Sequence, residues 1–255
     1  MLGLGSKLTK QGMPVASHIT DNLKMLHRYN TGSVVPVSDG AVLFNGSSDY
    51  IDTNSTFQST FRDSHSICMW VKPNDGQPAS NEFFLGSKNS STEDKFYLAH
   101  LTDGKLKYSH CANNDEDSIT SSTIFTDGAQ DWTHIVITAL KDESASNGFK
   151  LYINGALHTQ ANSSDISNAN WGAFTTDIEL DLGAYNENNS HNGEFDGYMC
   201  NVGIFSEVLT PAEIKSIMWK SYAGLTDSEK TNLVSWWNLS ANANDSHGSN
   251  NGTLS

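Results

Sequence analysis

Cysteine is scarce in this sequence: three in 255 residues, at Cys68, Cys111 and Cys200. The number is odd, the spacing is wide and no Cys-x-x-Cys pair exists, which argues against a thiolate zinc site and limits disulfides to one. Basic residues are few as well, 15 Lys and Arg against 29 Asp and Glu, giving a formal net charge of −14 at pH 7. No Lys/Arg cluster exceeds two residues, so binding to a nucleic-acid phosphate backbone is not expected. The acidic surface favours solubility and attracts cations. No apolar run approaches the ~18–20 residues of a membrane helix, so membrane insertion is not expected either. Residues 1–10 lack a long apolar stretch before a small-residue cleavage site, so no secretory leader is read there. The cysteines are accordingly expected to be small buried side chains, made in a reducing compartment.

What the chain has instead is small polar residues and aromatics. Asn, Ser and Thr number 25, 33 and 20, and aromatics make up 10%. That aromatic content argues against a disordered polar chain. From residue 41 onward the apolar pattern has period two, broken by closely spaced polar turns, the signature of a sandwich or barrel. Strands are predicted at 41–45, 50–53, 66–72, 82–88, 95–101, 105–110, 118–124, 132–140, 149–153, 156–159, 178–183 and 198–205. Turn signals separate them, among them Asn74-Asp75-Gly76, Asp127-Gly128, Asn147-Gly148 and Asn154-Gly155. Thr210-Pro211-Ala212-Glu213 predicts one helix, with a capping box and proline in its first turn, running to about Trp219 or Tyr222. A second box, Thr226 to Glu229, predicts a short turn. The organisation expected is an extension at 1–40 with one strand, a sandwich at 41–222 and a second extension at 223–255. Residues 21–29 and 231–239 are weakly alike, and the tail either packs on its own sandwich or reaches a neighbouring subunit.

Six segments in order resemble the laminin G-like domains of the concanavalin A-like lectin superfamily. They are Phe44-Asn45-Gly46-Ser47-Ser48-Asp49-Tyr50-Ile51, Ser66-Ile67-Cys68-Met69-Trp70-Val71-Lys72-Pro73, Asp131-Trp132-Thr133-His134-Ile135-Val136, Leu151-Tyr152-Ile153-Asn154-Gly155, Phe195-Asp196-Gly197-Tyr198-Met199-Cys200-Asn201-Val202 and Leu209-Thr210-Pro211-Ala212-Glu213-Ile214. The resemblance implies an all-β jelly-roll sandwich of two antiparallel sheets with one short C-terminal helix. It also implies a structural calcium near Asp49, Asp196 and Asn201, hard-oxygen ligands at a sandwich edge. Asn201 stands where the family usually has Asp, and Asp49 is alternatively a turn residue. Trp70 and Trp132 match family core positions.

Other candidates come from the residues themselves. Asp177, Glu179 and Asp181 alternate as acids on one strand, similar to the E-x-D-x-E strand of laminarinase-like glycosidases, and are either catalytic or a solvated face. Trp171 sits among small polar residues and either stacks on a sugar ring or plugs the end of the sandwich. Tyr185, Asn186, Asn188 and Asn189 lie in an amide-rich loop suited to carbohydrate hydroxyls. The nine histidines form no H-x-x-x-H pattern, and His134 reads as a hydrogen-bonded sheet residue. No G-x-S-x-G elbow or phosphate-cradling glycine loop is present. The functional expectation is a non-enzymatic binding or structural module. In composition and tail the chain resembles domains in virion proteins of marine tailed phages. That implies a capsid decoration or tail-fibre component at the virion surface, contacting other copies, other virion proteins or a surface glycan. The alternatives are an extracellular carbohydrate-binding adhesin and a glycoside hydrolase using the acids at 177–181.

Overall fold

The computed structural model describes residues 40–164 and 171–255. The expected strand in the first 39 residues lies outside this range, as do residues 168–170 of the loop before Trp171.

Two sheets form a sandwich. The first runs β1 (Val42–Asn45), β15 (Asp196–Phe205), β3 (His65–Pro73), β8 (Thr133–Ala139), β9 (Phe149–Ile153) and β10 (Ala156–Leu157), with β16 (Leu233–Trp237) also on β15. The second runs β11 (Gln160–Ser164), β7 (Asp115–Ser121), β6 (Leu106–Ala112), β5 (Asp94–His100), β4 (Glu82–Asn89), β12 (Asp181–Leu182), β2 (Ile51–Asp52) and β17 (Thr253–Leu254). A hairpin of β13 (Tyr185–Glu187) and β14 (Ser190–Asn192) lies along β4, and β13–β4 is the one parallel pair among the described residues. Every strand predicted from residue 41 onward overlaps an observed one. The Asn154-Gly155 hairpin forms as expected, with positive φ at both residues (51° and 76°) and Ile153 opposite Ala156.

Alternation builds the core. On β3, Ile67, Met69 and Val71 point inward, and on β8 so do Ile135 and Ile137. They meet Leu85, Phe96, Leu98, Leu106, Tyr108 and Leu182 from the second sheet. Gly183 is required here because a β-carbon would run into the Phe44 ring, and its φ is +80°. A second apolar cluster lies on the opposite face of the first sheet. There α3 (Pro211–Ile217) brings Ile214 and Ile217 onto Cys68, Val136, Tyr152 and Phe205. The capping box of α3 is present: Thr210 Oγ1 accepts from the Glu213 N–H at 3.3 Å, and Glu213 accepts from the Thr210 N–H at 2.8 Å. The helix ends at Ile217, earlier than expected. Two four-residue helices, α1 (Gln58–Phe61) and α2 (Ala145–Gly148), were not expected, and α2 takes up the Asn147-Gly148 signal. All three cysteines are buried and unbridged.

The tail is not an appendage. β16 pairs with β15 in the first sheet and β17 with β2 in the second. Trp237, Leu239 and Ala243 belong to the main core, and Leu233 and Trp236 to the outer cluster. Residues 223–255 therefore complete the sandwich, because the edges of β15 and β2 carry backbone groups that need partners. Trp237→Ala is expected to cost about 3–5 kcal/mol, read as a lower urea midpoint, since the ring is wholly enclosed.

Burial also sets a pH dependence. It holds His65 down at about 4, against the pull of nearby Asp63, and His110 and His134 at about 3, so all three are neutral inside the fold. The unfolded chain takes up these protons near pH 6.5, so their stability contribution is complete above 6.5 and declines as pH falls toward 4. Asp181, pushed up to about 6 by burial, works in the opposite sense between about pH 6 and 4 and offsets one histidine. Unfolding free energies from urea titrations are expected to be level from pH 7 to about 6.5 and to fall from there to 4.5, by about 1.4 kcal/mol per pH unit for each histidine not offset.

Candidate functional site

The same alternation that buries Ile67, Met69 and Val71 turns Cys68, Trp70 and Lys72 to the outer face of the first sheet. Trp70 pairs across the strands with Cys200 on one side and His134 on the other. One step along, Tyr198 sits opposite Lys72, and Thr133 opposite Val71 brings Trp132 beside the lysine. The Trp132 and Tyr198 rings are 6.3 Å apart, centroid to centroid. Beyond the end of α3, Trp219 folds back over Trp70, with ring centroids 4.9 Å apart and planes tilted 44°. Trp70 Nε1 donates to the Met218 carbonyl at 2.8 Å, which fixes the indole beneath Trp219.

Trp219 is 59% exposed, which is unusual for the largest apolar side chain. Around it, Trp132, Tyr198 and Lys72 are half-buried. Two polar atoms on this face are enclosed and lack partners, Trp132 Nε1 and His134 Nδ1. His134 is thus not the hydrogen-bonded sheet residue expected, although the Asn154 carboxamide does accept its backbone N–H at 2.9 Å. The result is an aromatic shelf with an ammonium group beside it. Such a surface favours the C–H face of a ring compound that also carries polar groups. Trp70 is enclosed as the sequence reading had it, 3% exposed beneath Trp219. Trp132, also read as core, is half-buried on the outer face.

The residues proposed from sequence are distributed differently. Trp171 is 2% exposed, its ring 4.6 Å from His110 and 5.4 Å from Phe149, and its Nε1 donates to Asp117 at 3.3 Å. It plugs the sandwich and offers no face to a ligand, because the apolar ring is worth more enclosed. Asn186 is also buried, donating to the Glu179 carbonyl at 3.1 Å and accepting from the Asn189 N–H at 2.9 Å. Asn188 and Asn189, with φ of 51° and 64°, form the tight turn of the β13–β14 hairpin, and the Asn188 carboxamide accepts from the Ser90 N–H. Tyr185 stacks on Phe83 at 4.8 Å and meets Tyr97 edge-on at 5.6 Å, on the second sheet.

The calcium trio does not assemble. Asp49 is held within its own loop by Asn45 Nδ2 at 2.8 Å, while the Asn45 side-chain Oδ1 accepts the Ser47 and Ser48 N–H groups. Asp196 accepts from Asn74 Nδ2 at 2.7 Å. Asn201 stands five residues farther along β15, roughly 15 Å away at the usual rise per residue. Its side chain is enclosed, with neither polar atom partnered. No group of three His, Cys, Asp or Glu suited to a metal occurs among the described residues. The row of acids also fails to form, since regular strand covers only Asp181 and Leu182. Asp181 is enclosed beneath the hairpin, bonded to His191 Nδ1 at 2.5 Å, and His191 stacks on Tyr50 at 3.7 Å. Asp177 is exposed and bonded by Asn89.

A model of the concanavalin A-like lectin/glucanases superfamily, of the laminin G type, matches residues 45–215. The chain belongs to that superfamily. No curated protein sequence matches it. Among solved structures it is similar to the CBM40 of the Ruminococcus gnavus IT-sialidase bound to α2,3-sialyllactose, at 13% identity and TM-score 0.54, covering 71% of this chain and 98% of that one. It is also similar to the NanB sialidase of Streptococcus pneumoniae, at 18% identity and TM-score 0.53, covering 72% of this chain and 28% of that one. At these identities the likeness is one of fold.

Asn201, at φ 49°, combines a left-handed backbone with two unpartnered polar atoms. Asn201→Gly removes both and is expected to raise stability by roughly 1 kcal/mol in urea titrations. A loss of stability would instead show that the carboxamide has a partner, such as a bound cation.

Proposed function

We propose that this protein is a non-enzymatic carbohydrate-binding module whose sugar ring stacks on the shelf of Trp219, Trp132 and Tyr198, with Trp70 supporting Trp219 from beneath. The single observation that carries the reading is Trp219, 59% exposed and held over a second indole in a superfamily whose fold is lectin-like. Lys72 supplies a polar group that orients a ligand on such a face. The sialyllactose carried by the Ruminococcus gnavus module supports testing sialylated glycans first. Absence of catalysis is part of the proposal: Asp181 lies under a hairpin and Asp177 is tied to Asn89, so no acid pair opens on a cleft at 177–181.

The same reading places the module at a virion surface, as a capsid decoration or tail-fibre domain. This part rests on the Asn-, Ser- and Thr-rich acidic composition and is checked by particle reconstitution with the module labelled. The site itself is tested by glycan-array binding followed by titration of the best ligand, with calcium and with chelator. Trp219→Ala is expected to weaken binding about 30-fold or more while leaving the melting temperature near that of the parent. Equal affinity in the variant would remove the shelf from the proposal.

A further inference from the structure

The side of the sandwich where β1 and β17 form the edges of the two sheets holds a cavity of about 380 Å³. It is lined by Val42, Leu43, Phe44, Asp49, Tyr50 and Leu254, together with Ser255. Leu43 and Leu254 are 49% and 56% exposed, so two of the five exposed large hydrophobic residues among those described flank one cavity. The two side chains give the cavity apolar walls on both sides.

The backbone beside the cavity is open in a defined way. Tyr50 and Ser255 exchange both backbone bonds, Tyr50 N–H to Ser255 O at 3.4 Å and Ser255 N–H to Tyr50 O at 3.1 Å. In an antiparallel pair the residues alternate, so the next residue, Leu254, directs its N–H and C=O away from β2. β17 has no partner on that side among the described residues. One residue therefore presents a donor, an acceptor and an apolar side chain at the same edge. Asp49 adds a carboxylate that accepts from Asn45 and Ser48 and faces no cation among the described residues.

We infer that β17 and the cavity beside it form a groove for an extended peptide strand, which pairs with Leu254, sets an apolar side chain between Leu43 and Leu254, and brings a lysine or arginine to Asp49. Strand addition to an open edge supplies affinity through backbone bonds and specificity through alternate side-chain pockets. Charge selects the occupant. A second copy of this chain would bring another −14 charges to a groove whose one charged lining residue is Asp49, whereas a basic strand neutralises that carboxylate. The groove is distinct from the shelf, and variants at Leu254 leave Trp219 and Trp70 untouched.

The test uses the full chain and three labelled heptapeptides, followed by fluorescence anisotropy. One alternates lysine and valine. The second has the same charge but a proline in place of its central valine, so that it cannot pair as a strand. The third alternates glutamate and valine. Saturable binding of the first, at least about tenfold tighter than either control, is expected. Leu254→Pro removes the outward N–H while leaving the pairing with β2. It is expected to abolish this preference with glycan binding and melting temperature unchanged, and Asp49→Asn to weaken it. Equal binding of the proline control, or of the Leu254→Pro protein, overturns strand addition and leaves only charge attraction. No saturable binding overturns the groove. A solution mass that doubles with concentration and reverts in Leu254→Pro overturns the basic occupant in favour of a second copy.

Discussion

The backbone pairing of β15 is the constraint on which the rest of the structure depends. Seven of its ten residues pair with β3 along one edge, while β1 and β16 follow one another along the other. The register shifts between Cys200 and Gly203, where Asn201 takes a left-handed conformation. This bulge changes the twist of the strand midway, so the first half receives β1 and the second half β16. Through β1 the strand fixes the opening loop at Gly46, whose β-carbon would sit 2.8 Å from that of Asp196. Through β16 it fixes the tail, and with it Trp236 and Trp237.

The two faces of the first sheet then acquire different roles. Inward residues close the main core. Outward residues are divided: one half is sealed by α3 over Cys68, Val136 and Tyr152, and in the other half Lys72, Tyr198 and Trp132 stay half-buried while Trp219 covers Trp70. The helix ends where this division falls, and Trp219, two residues past its last turn, becomes the wall of the open half. A short helix thus both completes a core and exposes a binding surface.

Buried polar groups give the sandwich its sensitivity to acid. His65 bridges the Asp63 carbonyl and the Tyr108 hydroxyl, each at 2.7 Å, and His110 bonds the Phe61 carbonyl at 2.8 Å. These are neutral-imidazole contacts, and Trp171 closes over them. The carboxylates bury differently: Asp181 keeps one oxygen without a partner and depends on His191 for the other. The cost of such an unpartnered oxygen is met by the surrounding core, including the stack of His191 on Tyr50.

By itself the sequence determined the fold class, the strands, the capped helix at Thr210 and the tight turn at Asn154-Gly155. All of these are local consequences of period-two alternation, turn stereochemistry and capping chemistry. It did not determine which side of a strand faced water in a sheet covered on both faces. Trp132 therefore read as core, and Trp171, among Asn and Ser, read either as a sugar platform or as a plug, since each is settled by what packs opposite it. The tail's strands were likewise invisible as such, because an edge strand is defined by its partner and β17 is only two residues long. Tertiary structure alone brought Trp219 over Trp70, separated Asn201 from Asp49 and Asp196, and enclosed Asp181. The reason is the same in each case: burial and proximity depend on neighbours distant in the chain, and a strand's own pattern records only that it has two faces.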